Sequence, residues 1–206
     1  EDNSAVRSRL THSLEVSFIG RLIAQKALSK FSDSEKEGLG LDKELEFVFV
    51  TMVGTACLMH DIGNPPFGHF GERAIQAWFS EHGLKTFNKS LGTKKLSSGW
   101  KEYFNNKLMK DFLRFDGNPQ GFRIITRLQS KTDPNDIAGL NLTFGQLATF
   151  LKYVYPPYKN QTNKNVFTKK PGFFLSEEPL VSDIRKTIGL TEEQRFPLTY
   201  IMEAAD

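Results

Sequence analysis

Between Glu44 and His60 runs LEFVFVTMVGTACLM, a stretch apolar on nearly every face and broken at once by Gly63-Asn64-Pro65-Pro66. Its length favours a helix over a strand despite its β-branched content, and a helix apolar all round belongs at the centre of a fold. The rest of the chain must therefore wrap it. Ahead of it, Leu14, Phe18 and Leu22 with Ile19, Ile23 and Ala27, continued by Leu28 and Phe31, recur at helical spacing and predict an amphipathic helix. Behind it, a helix from about His69 to His82 should bury Ile75, Trp78 and Phe79 and stop at Gly83. The Gly, Ser and Lys-rich stretch over 85–100 reads as a flexible loop. Phe104, Leu108, Phe112 and Phe115 mark a further helix, and Phe122, Ile125 and Leu128 another after the Gly117-Asn118-Pro119 turn. Thr143 with Gln146 makes a capping box for a helix through Val154, ended by Pro156 and Pro157. Ser176 caps a helix with Val181, Ile184 and Ile188, which Gly189 stops, and Thr191 with Gln194 begins the next turn. Residues 160–174 suit a short hairpin. No internal repeat is present, so the expected fold is mainly α, a helical bundle with at most a short β-hairpin.

A chain of 206 residues with 39% hydrophobic content can bury a full core in one domain or a tightly joined pair. No apolar run approaches the roughly 20 residues that span a bilayer, and no signal-type leader is present, so no membrane partner is expected. The single Cys57 sits among Ala56, Leu58 and Met59, which suggests a buried thiol, a reducing compartment and hence the cytoplasm. A net charge of +3 and a pI near 8.9 suit an anionic ligand without identifying one. Lys85, Lys89, Lys94, Lys95, Lys101, Lys107 and Lys110 concentrate much of the basic charge in one stretch, whose simplest reading is a solvated surface. The start at Glu1 without a methionine, and the stop at Asp206 inside an apolar helical pattern, lead us to expect a piece of a longer protein.

The chemistry concentrates around the histidines. Of the four, His12 lies in RLTHS, and His60 and His69 in MHDIGNPPFGHFGE. An imidazole and a carboxylate side by side at a buried helix end can each give a divalent ion one ligand, and His12 from the preceding helix makes a third plausible. The His60-Asp61 dipeptide alone reads more readily as a turn-forming Asp beside a satisfied His, and its context is what favours a ligand pair. The loop behind it is stiffened by two prolines, while Gly63, Gly68 and Gly71 allow tight turning and a close ligand. His69 and Glu72, one helical turn apart, suit a proton-transfer pair; the bland alternative is a first-turn carboxylate favourable to the helix dipole. His82 reads as an exposed helix-end residue.

RSRLTHSLEV, ACLMHDIGNPPFGHFGE, FDGNPQGFRI, LKYVYP, KKPGFFLSEE and RFPLTYIMEAAD resemble, in order, the hallmark segments of bacterial deoxyguanosinetriphosphate triphosphohydrolases within the HD superfamily. The resemblance runs along nearly the whole chain, 1–206, and is weakest over 85–100. It implies an HD-type catalytic region that splits dGTP, and other dNTPs, into deoxynucleoside and inorganic triphosphate. It implies His12, His60, Asp61 and Asp206 as ligands of one divalent ion, Mn²⁺ or Mg²⁺; the ligand types alone would also admit Fe, Co, Ni or Zn. Asp206 enters only through the resemblance and is otherwise a carboxylate on a terminal helix. His69 with Glu72 resembles the family's proton-transfer pair. Arg9, Asn118, Lys152, Tyr153 and Lys170 resemble its substrate contacts, although each alone would be read as surface, and Arg7, Arg123 and Arg127 are weaker candidates. A homo-oligomer and a response to single-stranded DNA are also implied. Two other functions stay open: an HD phosphohydrolase acting on another nucleotide or a phosphomonoester, and a nucleic-acid-binding regulatory HD protein.

Overall fold

The computed structural model describes residues 7–92, 94–129, 139–159 and 168–206. Their helices are α1 (Arg9–Leu28), α2 (Asp33–Gly38), α3 (Lys43–Met59), α4 (His69–Trp78), α5 (Leu84–Leu91), α6 (Ser98–Tyr103), α7 (Met109–Leu113), α8 (Gly117–Arg123), α9 (Phe144–Phe150), α10 (Glu178–Ile188) and α11 (Pro197–Ala205). No strand occurs among the described residues, and the mainly α fold expected from the sequence is what forms. The hairpin expected over 160–174 lies largely outside the described residues, and 168–174 carry no strand.

The apolar stretch forms α3, which packs on α1, α9 and α11. Val16, Ala24, Leu28, Val50, Val53, Ala56, Cys57, Leu198, Met202 and Ala205 make one buried cluster between α1, α3 and α11. A second cluster joins Met59, at the end of α3, to Phe122, Ile125, Leu147, Phe150, Phe173, Val181 and Ile184. Burying such side chains contributes roughly 1.5–3 kcal/mol each. Only the C-terminal half of α3 is enclosed, however, and Phe47 near its start is 69% exposed. On α1 the enclosed line is Val16, Gly20, Ala24 and Leu28, whereas Leu14, Phe18 and Leu22 face outward. Small residues explain the choice, because Gly20 lets α1 come against Cys57 and Val53 where any side chain would collide.

Five local expectations are corrected. Gly83 does not stop a helix: α4 continues through a π turn over Phe79–Gly83 into α5, and Gly83 keeps right-handed angles. There the missing side chain makes room for Phe79 and Met109. The first half of the loop expected over 85–100 is thus helix, held by Phe87 stacked on Phe104 at 3.7 Å between ring centres. Trp78 stays 47% exposed. The helix capped by Thr143 does have its capping box, but it ends at Phe150 rather than Val154: Leu151 leaves helical geometry at ψ 89°, and beyond it the carbonyls of Lys152 and Val154 accept from Arg195 and Arg185. Ser176 does not cap α10; it accepts from Arg123 and donates to Glu177, and Pro179 opens the helix instead. Gly189 ends α10 in the left-handed region, as the sequence indicates.

Candidate metal centre

Three helix termini meet at one corner. Ser8 caps α1 through the Thr11 amide and so starts the helix a turn before His12. α3 runs back along α1 and ends at His60, and α11 ends at Asp206. His12 Nε2 and His60 Nε2 lie 3.4 and 3.2 Å from the same oxygen of Asp206. Donors of a single divalent ion with bonds of about 2.1 Å stand about 3 Å apart, so this spacing fits one. The donor atoms of His12, His60 and Asp206 all lie within 4.8 Å of one another. Asp61 lines the same pocket, its carboxylate 3.6 Å from His60 Nε2, but it is not part of that tight trio.

The surroundings prepare His60 as a ligand. Its Nδ1 is 2.7 Å from the Cys57 carbonyl, which fixes the proton there in the neutral ring and turns the Nε2 lone pair toward Asp206. That Nε2 is buried and makes no well-formed hydrogen bond, as expected of an atom waiting for a cation. Burial works against protonation of this ring, yet Asp206, the Cys57 carbonyl and Asp61 raise its proton affinity above the ordinary value. Conversely, His60 pulls the Asp206 carboxyl down to about 2, against the opposing effect of burial and with help from Lys152 and His12.

The Gly-Pro loop then carries the chain to His69. Gly63 lies so close to the Gly117 carbonyl and the Gly121 amide that a side chain there would collide with backbone. Phe67 and Gly68 take positive φ angles of 65° and 54°, which turn the chain sharply into α4. His69 Nδ1 sits 2.7 Å from one oxygen of the buried Glu72, whose other oxygen accepts the Gly117 amide at 2.8 Å. The pair is therefore anchored to the start of α8, and Nε2 of His69 is left for proton exchange.

A pocket of about 390 Å³ joins these groups; His60, Asp61, Asn64, His69, Asn118, Lys152, Tyr153, Lys169, Lys170, Glu203 and Asp206 line it. Its size falls in the range of roughly 300–1,000 Å³ usual for small ligands. Lys170 pairs with Asp116 at 2.9 Å, and Asp116 also accepts the Asn118 amide and side chain. Lys152 lies 3.6 Å from Asp206 and 3.8 Å from Glu203. Tyr153 is buried, which pushes its phenol up to about 12.

Most of the candidates thus line one pocket, and His12 and Glu72 are joined to it through Asp206 and His69. Arg9 is not among the residues lining the pocket; its fork donates to the Asn64 and Pro65 carbonyls at 2.7 and 2.5 Å, tying the start of α1 to the loop behind His60-Asp61. Two of its five N–H donors are spent on these carbonyls, so Arg9 clamps this loop whatever its remaining donors meet. The weaker candidates are likewise occupied, Arg7 by Glu15 and Arg123 and Arg127 by the buried Glu177. His82 is exposed as expected. Asn64, Lys169 and Glu203 were missed. Glu203 stands one helical turn before Asp206, and Lys169 is next to Lys170, so helical spacing and adjacency were the available signals.

Residues 9–110 match the model of the HD domain. The chain is 45% identical over 221 aligned residues to the deoxyguanosinetriphosphate triphosphohydrolase of Yersinia enterocolitica, serotype O:8. It is 43% identical to that of Yersinia pestis, strain Pestoides F, and 42% identical to that of Serratia proteamaculans, strain 568. Each alignment covers 100% of this chain and 42% of the relative, so the chain spans less than half the length of the relatives it matches. The chain belongs to the HD-domain family, as a relative of the deoxyguanosinetriphosphate triphosphohydrolases.

Proposed function

We propose that these residues, within the full-length protein, form the centre that hydrolyses dGTP, and other dNTPs, to deoxynucleoside and inorganic triphosphate. The observation that carries this is one pocket lined by His60 and Asp206 of a His-His-Asp donor set, by a carboxylate-oriented imidazole and by three lysines. The relatives' names give the substrate.

In this reading His12, His60 and Asp206, joined by Asp61, hold one divalent ion, Mn²⁺ or Mg²⁺. When bound, the ion supplies Lewis-acid stabilisation of phosphoryl charge and acidifies water. Lys152, Lys169, Lys170 and Asn118 receive the phosphate oxygens, with Tyr153 as a rigid wall beside them. Lys152 and Lys170 exchange their present carboxylate partners for substrate, which keeps the pocket charged but satisfied before binding. His69, fixed by Glu72, moves one proton at the α-phosphate, from the attacking water or to the departing 5′-oxygen. The relatives' substrate and the buried thiol support a cytoplasmic enzyme.

The test is product analysis with the full-length protein, dGTP and Mn²⁺. Inorganic triphosphate is the expected product, and release of pyrophosphate or single phosphate instead rejects the reaction. A homo-oligomer and an effector role for single-stranded DNA belong to the same reading. The lysines of α5–α7 support the DNA role, for which affinity should fall steeply with salt.

A further inference from the structure

Arg195 lies between α10 and α11, and its side chain has no exposure to solvent. An arginine cannot shed its charge, so burying it is costly unless fixed acceptors meet it. Two of its acceptors belong to the pocket wall. Nε donates to the Lys152 carbonyl at 2.5 Å, and Nη1 donates to Glu203 Oε2 at 2.6 Å. The rings of Tyr153 and Tyr200 stand 5.9 and 5.4 Å from the guanidinium carbon.

From that fork a row of alternating charge leads to the donor set. Glu203 Oε1 is 3.8 Å from the Lys152 ammonium, the ammonium is 3.6 Å from Asp206 Oδ2, and Asp206 Oδ1 faces both His12 and His60. Although burial acts in the opposite direction, Arg195 and Lys152 hold the Glu203 carboxyl below its ordinary range. Glu203 is thus kept anionic, with one oxygen engaged by Arg195 and only a loose hold on Lys152. Without the guanidinium, that carboxylate would turn fully onto the lysine.

We infer that Arg195 is a positioning residue, which locks the chain at Lys152 to the last turn of α11 and so presents both the Lys152 ammonium and the Asp206 carboxylate to the pocket. It touches neither substrate nor ion. The inference rests on the proposed metal centre, so its test reads ion binding without substrate as well as turnover.

In the full-length protein, Arg195→Met should weaken Mn²⁺ binding, followed by calorimetry without nucleotide, by about 10-fold, within the roughly 10–100-fold effect of groups that orient ligands. KM for dGTP should rise by about 10-fold while kcat falls less. Arg195→Lys keeps the charge but loses the planar fork, and should lie between. A lowered Tm with unchanged Mn²⁺ affinity and KM in both variants would reduce Arg195 to a packing residue and overturn the inference. Should the methionine variant not fold, unchanged Mn²⁺ affinity in the lysine variant overturns it equally, as does collapse of both. A wild-type protein that binds no Mn²⁺ would instead reject the metal centre itself, and this inference with it.

Discussion

The two walls of the pocket are built in different ways. His12, His60 and Asp206 stand at ends of α1, α3 and α11, helices locked together by one apolar cluster. Lys152, Lys169 and Lys170 lie on irregular segments, after α9 and ahead of α10, and Lys152 and Lys170 are steadied by carboxylates. Helix ends on a packed core fix donor atoms to the tolerance that a cation demands, whereas flexible ammonium groups tolerate a ligand whose phosphates arrive and leave. One wall is set by packing and the other by exchangeable ion pairs.

Mutations should therefore separate the walls. His60→Ala removes the buried ring from the rigid side, and both Mn²⁺ binding by calorimetry and triphosphate release should fall below detection. His69→Ala should leave Mn²⁺ affinity intact and lower kcat by on the order of 10²–10⁴-fold; near-normal kcat would mean that the ring moves no proton. On the lysine side, Lys170→Met should raise KM by about 10-fold with a smaller change in kcat and normal Mn²⁺ binding, since a charge-assisted hydrogen bond contributes about 1.5–3 kcal/mol. If it weakened Mn²⁺ binding as strongly as His60→Ala, the two walls would be one unit.

The smallest effect belongs to a carboxyl outside both. Asp111 is buried, which pushes it up to about 7 although the Leu175 amide and Arg123 favour its anion. Its folded pKa lies above that of the unfolded chain, so the folded state holds the extra proton between about pH 4 and 7, and stability declines as pH rises through that window. Asp111→Asn should flatten the decline in urea-unfolding midpoints against pH and leave catalysis unchanged.

Local signals were legible where a residue's partners lie within a turn of it. The capping box of Thr143 and Gln146, the left-handed stop at Gly189 and the His69-Glu72 contact all follow from spacings of a few residues. The apolar run gave away α3, but not that its first half would stay open, because periodicity cannot say how far neighbouring helices reach. The link from Asp206 to His12 crosses almost the whole chain, and only the family resemblance suggested it. Arg9 shows another limit: its hold on the Asn64 and Pro65 carbonyls could not be read, because it depends on where a loop 55 residues away is folded. The same blindness hid Arg195, whose acceptors come from two separate segments.

The tight crossing of α1 over α3 also makes a chemical clock. Cys57, the only cysteine, lies wholly buried beneath Gly20, and burial lifts its thiol to about 11, so at neutral pH it presents almost no thiolate to an alkylating reagent. Modification must wait for α1 to lift, and that helix and its partner carry His12 and His60. An ion spanning the two imidazoles would hold the lid on the sulfur, and the rate of alkylation would then count how often the crossing comes apart.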